Sequence, residues 1–336
     1  MNEAQSGHKS GDDHFIAYSK EFHKVTGNDS QFWTVIETNA HEGPVYVKDE
    51  NALYFTTVPE NSNVPLAGFK RVAIKRLSLD GGQHPLPQTA LTTVREPSNM
   101  ANGMTLDRKG RLVICEQGTM STAARISRMD LKTGEVETVV DQWRGLRFNS
   151  PNDVVVKSDG SVWFTDPSYG ALQGFKYSPM IGDYVYRYDP KKDHISVVAN
   201  SFNKPNGLAF SPDESILYIN DSGAIQGPDT YYVNLPHDIR AFDVINERHL
   251  ANDRLFAVVT PGIPDGLKVD SDGRVYSSSA SGVQVFNLDG ELIGEIIAPG
   301  VANFTFGGPE NNIVYMMADT VIWAAKIQAT GAIDSH

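Results

Sequence analysis

The sequence predicts an all-β protein, a six-bladed β-propeller with a short helix at its N-terminus. Three observations carry that prediction. One strand–turn–strand pattern recurs six times, its copies about 38 to 60 residues apart, the spacing of four-stranded propeller blades. Most copies continue into a third and a fourth strand-like run. The last copy leaves only ten residues after its third run, and a strand-like run near the N-terminus supplies the missing strand.

Each copy opens on a polar residue, usually followed by Gly or Asp, and alternates apolar and polar residues across a polar turn. The paired runs are Glu42-Gly-Pro-Val-Tyr-Val with Ala52-Leu-Tyr-Phe, and Asn102-Gly-Met-Thr-Leu-Asp with Arg111-Leu-Val-Ile. Asn152-Asp-Val-Val-Val-Lys pairs with Ser161-Val-Trp-Phe, and Asn206-Gly-Leu-Ala-Phe with Ile216-Leu-Tyr-Ile. Asp265-Gly-Leu-Lys-Val-Asp pairs with Arg274-Val-Tyr, and the degenerate sixth copy is Asn303-Phe-Thr-Phe-Gly with Asn311-Asn-Ile-Val-Tyr. Third runs begin near Ile74, Arg125, Tyr184, Asp238, Val283 and Val321. Phe32-Trp-Thr-Val-Ile-Glu is the strand expected to close the last blade, pairing with Val321–Lys326. Upstream, Phe15, Tyr18, Phe22 and Val25 recur at helical spacing behind Asp12 or Asp13 as cap, which predicts an amphipathic helix. The expected organisation is an N-terminal extension over residues 1–30 and a propeller over 31–336.

Composition narrows the partners. Lys and Arg number 29 and Asp and Glu 41, a formal charge of −12, which argues against nucleic acid or an anionic membrane as partner. The single cysteine, Cys115, excludes an intramolecular disulfide framework and a cysteine zinc site. No apolar run reaches membrane-spanning length, and Met1 to Asp13 has no apolar core of a secretory signal, so a cytoplasmic location is expected. The chain has no Gly-x-Gly-x-x-Gly, P-loop, His-Glu-x-x-His or Gly-x-Ser-x-Gly pattern.

The innermost strand of a propeller blade lines the central channel, so its first residue faces the axis at one mouth. Aligning the repeats puts Glu42, Asn102, Asn152, Asn206, Asp265 and Asn303 there. Two carboxylates and four amides converge, all oxygen donors, without thiol or imidazole. That set selects a hard divalent cation, Ca²⁺ first, or Mg²⁺ and Mn²⁺ with more water, over Zn²⁺, which is kept as the last alternative. A mere turn has no need of Glu42 or Asp265. Asp166 and Asp221, which end second strands, either line the channel deeper down or close turns.

The motifs His41-Glu-Gly-Pro-Val-Tyr, Asn149-Ser-Pro-Asn-Asp-Val-Val-Val, Trp163-Phe-Thr-Asp-Pro-Ser-Tyr-Gly, Lys204-Pro-Asn-Gly-Leu-Ala-Phe and Ile263-Pro-Asp-Gly-Leu-Lys-Val resemble the gluconolactonase/regucalcin family, which includes luciferin-regenerating enzymes. The resemblance covers roughly Phe32 to the C-terminus. It implies a six-bladed propeller with a divalent metal in its channel, held by Glu42, Asn152, Asn206 and Asp265, the positions the repeats also select. It further implies Asp265 as general base as well as ligand, and Arg147, with Asn102 and Asn152, as contacts to substrate. Cys115-Glu-Gln-Gly departs from the family's Cys-Glu-His-Gly and alters one polar contact near the site. The activity implied is hydrolysis of a sugar-derived lactone such as gluconolactone to the free acid. The alternatives are a phosphotriesterase or fluorophosphatase reaction on the same metal cup, and a non-catalytic calcium-binding propeller. The partner implied is a small-molecule lactone, and the oligomeric state is left open.

Overall fold

Six antiparallel sheets, five of four strands and one of five, surround a channel in the computed structural model, which describes residues 11–61, 70–227 and 229–332. Their innermost strands are Glu42–Val47, Ala101–Leu106, Val154–Val156, Pro205–Phe210, Leu267–Val269 and Asn303–Gly307, each in contact with the next around the ring. The predicted six blades are therefore present, and so is the closing strand. Gln31–Ala40 pairs antiparallel with Asp319–Lys326, Gln31 opposite Lys326 and Trp33 opposite Ala324, as the outermost strand of blade six.

Strand alternation decides what each blade buries. Successive side chains point to opposite faces of a sheet, so each second strand feeds both its neighbours. In blade one, Leu53 and Phe55 pack against blade six, with Ile322 and Ala324, whereas Ala52 and Tyr54 pack against blade two, with Leu112 and Ile114. In blade three, Phe164 and Tyr186 meet Val113 and Ile126 of blade two, and Trp163 and Val185 meet Leu217 and Ile219 of blade four. The interior is thus six apolar layers, one per blade interface, with no single central core.

The N-terminal extension departs from the predicted single helix. Phe15–Ala17 is a strand that pairs with Gly294–Ile296 and forms a fifth, outermost strand of blade five. Helical turns begin only at Lys20, because Ser19 takes an extended conformation and its hydroxyl accepts the Glu21 N–H at 3.2 Å. The helical stretch Lys20–Phe22 and His23–Thr26 ends at Gly27, whose φ of 67° leaves the helix. Phe22 and Val25 are buried in the layer between blades five and six, as the helical spacing implied. Tyr18 lies exposed, its hydroxyl donating to Glu295 at 3.0 Å. The unpaired edge of blade five gave Phe15-Ile-Ala backbone partners that a helix would have had to forgo. Asp13 sits in a separate turn, Gly11–His14, and residues 1–10 lie outside the described residues.

Glycine after the opening residue is a packing requirement. A Cβ on Gly43 would lie 2.3 Å from the Asn102 carbonyl oxygen, one on Gly103 2.4 Å from that of Asn152, and one on Gly207 2.2 Å from that of Asp265. The Gly103 and Gly207 N–H groups donate to the same Asn152 and Asp265 carbonyls, at 2.7 and 3.1 Å. Second-strand side chains add to this belt. Thr56 donates to the Asn102 carbonyl at 3.2 Å, Thr165 to Asn206 at 2.8 Å, and Asn220 to Asp265 at 2.8 Å.

Gly207→Ala is therefore expected to cost about 1–3 kcal/mol, the usual range for overpacking against a backbone that cannot move away. Gly82→Ala, whose Cβ would meet nothing within 4 Å, should change stability by less than about 0.5 kcal/mol. Urea unfolding of the two variants beside wild type checks both, and equal stabilities would refute the belt.

Candidate functional site

Three of the opening residues follow a loop that their own blade grips. The Asp166 carboxylate, at the end of a second strand, accepts the Asn149 N–H at 2.9 Å and the Ser150 N–H at 2.8 Å, which fixes the loop leading to Asn152. Asp221 occupies the same place in the next blade, accepting from Asn203 and Lys204 at 2.8 Å each, and fixes the loop leading to Asn206. Ser278 does the same for blade five, its hydroxyl meeting the Asp265 and Gly266 N–H groups at 3.2 and 3.0 Å. Asp166 and Asp221 are thus loop clamps, and the choice left open by the sequence resolves in favour of turn closure.

The openers meet at the mouth. Glu42, Asn152 and Asn206 are buried, and Asp265 lies in the electrostatic field of Glu42 and hydrogen-bonds with Asn206. Burial first, then the Glu42 charge, pushes the Asp265 carboxyl well above the usual carboxylate range, against the opposing pull of His41 and the Asn206 contact. His41 is the nearest compensating charge. Although burial opposes it, the 2.7 Å contact to Asp319 and the Glu42, Asp319 and Asp265 carboxylates lift its imidazole to about 9. Asn152 keeps its side-chain Oδ1 buried with no hydrogen-bond partner.

The six openers do not all play one part. Asn303 turns its amide toward Glu42, donating to Oε2 at 2.8 Å, while its own Oδ1 accepts the Phe304 N–H at 2.8 Å. It orients Glu42 and has no oxygen to spare. The Asn102 amide donates to the Asn152 carbonyl at 3.2 Å, holding the neighbouring blade. That leaves the Glu42 and Asp265 carboxylates in one another's field, and Asn152 Oδ1 buried without a partner, as the unmet electrostatic demand among the openers. Two carboxylates of like sign and an unpartnered buried amide oxygen fit a hard divalent cation, since an oxygen set of this kind is left electrostatically unsatisfied without one.

Asp153, following Asn152, stands where four other blades have glycine. Its carboxylate is buried, one oxygen accepting the Val154 N–H at 2.9 Å and the other without a partner. Its carboxyl is raised from 3.8 to about 7 by burial above all, with Lys268 opposing and Glu42 adding. Nothing in the repeat marks it except the broken Asn-Gly pattern.

Above the mouth, the segment after Asp166 crosses from blade three toward blades one and two. Ser150 ties it down, donating to the Pro167 carbonyl at 2.7 Å and accepting the Gly170 N–H at 2.8 Å. Phe175 anchors its far end among Val72 and Met100. Tyr169 is buried beneath, and burial, with the Asp265 charge adding, pushes its phenol far up. One cavity of about 440 Å³ runs beside Tyr169 and Tyr231. A second, of about 330 Å³, is lined by Arg147, Asn149, Ser150 and Lys176. Arg147 thereby shares a cavity with Asn149 and Ser150, which precede Asn152 in the same loop. It rides on a small hairpin, Gln142 opposite Arg147, outside the blades. Tyr169 and Lys176 are not singled out by the sequence as site residues, and Asn303, expected as an oxygen donor, instead orients Glu42.

A family model described as SMP-30/Gluconolactonase/LRE-like region matches residues 40–320. The chain belongs to that family. A gluconolactonase from Zymomonas mobilis is 32% identical over 271 residues, covering 79% of this chain and 72% of that protein. The solved structure of a gluconolactonase from Xanthomonas campestris superposes with a TM-score of 0.75 at 29% identity, covering 93% of this chain and 94% of that one. Regucalcin from Agrobacterium tumefaciens, a calcium-binding protein, shares the fold at a TM-score of 0.66 and 15% identity, with 89% and 94% covered. No helix among the described residues is long and apolar enough to cross a membrane.

Two expectations follow. Glu42→Gln removes one negative charge from the mouth while leaving an oxygen, so Ca²⁺ affinity measured by calorimetry should fall by at least about tenfold with the fold intact. Unchanged affinity would remove Glu42 from the donor set. The second concerns pH. A carboxyl that keeps its proton longer folded than unfolded gives stability that is lost as pH rises, here between 3.8 and about 7. Chelated Asp153→Asn protein should therefore gain on wild type progressively from about pH 4 to about pH 7 and then hold a constant lead. Urea midpoints across that range test it, and a pH-independent difference would sink it.

Proposed function

We propose that this protein hydrolyses a sugar-derived lactone, with a divalent cation, Ca²⁺ first, held by Glu42, Asn152, Asn206 and Asp265. Lactone hydrolysis is the activity named for the gluconolactonases it is similar to. The observation that carries the metal part is the pair Glu42 and Asp265 in one another's field beside the unpartnered Asn152 Oδ1. When bound, the cation would supply Lewis-acid polarisation of the lactone carbonyl and stabilise the oxyanion that forms.

The side chains divide the remaining work. Asp265 accepts the proton of the water that attacks the carbonyl carbon. The acyl–oxygen bond of the ring then breaks, and the ring oxygen takes up that proton from Asp265 to give the open hydroxy acid and restore the base. Asn206 hydrogen-bonds with Asp265 and holds the carboxylate in place. Asn303 holds Glu42 in the same way, at 2.8 Å. The covering segment anchored by Phe175 and Tyr169 limits bulk water at the mouth, which strengthens each of these contacts. Asn102, Asn152 and Arg147 are the polar groups nearest to hand for sugar hydroxyls.

Asp265→Asn keeps an oxygen but removes the base and one charge. Turnover of gluconolactone at saturating cation should fall about a hundredfold or more, the usual scale of general-base loss. Wild-type turnover in that variant would leave Asp265 with a holding role only.

A further inference from the structure

The lactonase reading says which bond is broken but leaves the rest of the substrate open, and the cavity of about 330 Å³ beside the mouth bears on that. Its charged groups are both cations. Lys176 is half-buried on its wall, and Arg147 is exposed at its rim. Neither has a carboxylate within 4 Å among the described residues. The Lys176 ammonium has one hydrogen-bond partner, the Phe148 carbonyl at 3.0 Å. Asp166, the acid closest in effect, has both oxygens occupied by the Asn149 and Ser150 N–H groups.

The most deeply buried cations are placed differently. The four cations whose side chains are more than nine-tenths buried all reach an acid: Lys157 Glu214, Lys204 Asp183, Arg187 Asp159 and Arg274 Asp270. In a chain of net charge −12, acids are in excess, yet the acid that acts on Lys176 is Asp166, whose oxygens are already taken up by backbone N–H groups, and Arg147 adds a second positive charge. Burial, with Arg147 adding and Asp166 opposing, holds the Lys176 amine down at about 8, as expected of a cation lacking its counter-ion. The backbone prepares the position. The Lys176 stem packs on Gly170, where a Cβ would come within 2.8 Å of it. Met120, Phe148, Ala171 and Met180 supply apolar wall around the two charges. Asn149 and Ser150 belong both to this wall and to the loop that carries Asn152.

We infer that the cavity receives an anionic substituent of the lactone, a carboxylate or a phosphate, with Lys176 and Arg147 as its counter-ions. The inference rests on the lactonase reading. Lys176 is then a specificity residue: it acts on which lactone is held, through a charge-assisted hydrogen bond, and takes no part in opening the ring. The carbon chain joining the anion to the lactone lies along the methionines.

Three substrates separate the outcomes: gluconolactone, the lactone of glucaric acid, which carries a free carboxylate, and gluconolactone phosphorylated on its primary hydroxyl. The cation-loaded protein should show higher kcat/KM on one or both anionic lactones than on the neutral one. In Lys176→Met the anionic-to-neutral ratio should fall about tenfold to a hundredfold, mainly through KM, and Lys176→Arg should restore most of it. The anionic lactone with the larger fall identifies the group recognised. An equal loss on neutral and anionic lactones, or no loss, would overturn the proposal, because a merely structural lysine does not discriminate between them. If no lactone is turned over, the hydrolase reading fails, and calorimetric titration with glucarate decides the anion site by itself. Binding weakened at least tenfold in Lys176→Met would sustain the site, and equal binding in both proteins would remove it.

Discussion

The molecule depends on how closely its innermost strands approach one another at one mouth of the channel. Carbonyls of Asn102, Asn152 and Asp265 sit where a Cβ on the preceding blade's glycine would be, and the second-strand hydroxyls and amide of Thr56, Thr165 and Asn220 reach across to neighbouring carbonyls. That contact sets the radius of the ring. Six blades at this separation leave a mouth narrow enough for side chains from opposite blades to share one small volume. The apolar layers between blades provide most of the driving force for folding, yet they tolerate small shifts. The glycine–carbonyl contacts do not, so they set the geometry to which the layers must conform.

The same closeness creates an electrostatic conflict. Glu42 and Asp265 are brought together and desolvated, and Asp153 adds a third carboxylate that keeps its proton up to about 7. The chain opposes this locally. Asn303 and the Gly43 N–H donate to Glu42 Oε2 at 2.8 and 3.1 Å, and His41, paired with Asp319, brings positive charge to the rim. These contacts position the carboxylates more than they neutralise them. A propeller built only for stability would place asparagine at all six openers, and four of the six are asparagine here. The two exceptions are what give the mouth a chemistry.

Much of this was legible in the sequence because repetition makes a local pattern into a global one. Blade number and a closing strand over Phe32–Glu37 follow from aligning six copies, whose shared alternation leaves little freedom in how they stack, and the same alignment selects Glu42, Asn102, Asn152, Asn206, Asp265 and Asn303 as the blade openers. What the repeat does not contain was harder to read. Phe15 has a spacing that suits a helix with Phe22 and Val25, but an empty sheet edge on blade five decided its conformation, and no local pattern reports an empty edge. Asn303 looks like a sixth ligand until its amide is seen donating to Glu42. Lys176 and Tyr169 lie on a segment with no counterpart in the other blades, and their positions come from where Phe175 finds a pocket. Asp166 and Asp221 share a repeat position, so their common role as loop clamps was available from alignment, though its nature needed the hydrogen bonds.

Ring closure by the first strand also bears on biosynthesis. Gln31–Ala40 leaves the ribosome roughly 290 residues ahead of its partner Asp319–Lys326. At roughly 5–20 residues per second, about 15 to 60 s pass between the two events. During that interval Val35 and Ile36, wholly buried in the finished disc, have no partner strand to cover them, and the helical stretch bearing Phe22 and Val25 lacks blades five and six to pack on. Blades one to four can stack as they emerge, since each apolar layer needs only its two neighbours. The seam between first and last blade cannot. Vectorial synthesis therefore gives this protein a defined window of exposure at a defined place, ended in one step when the final strand arrives.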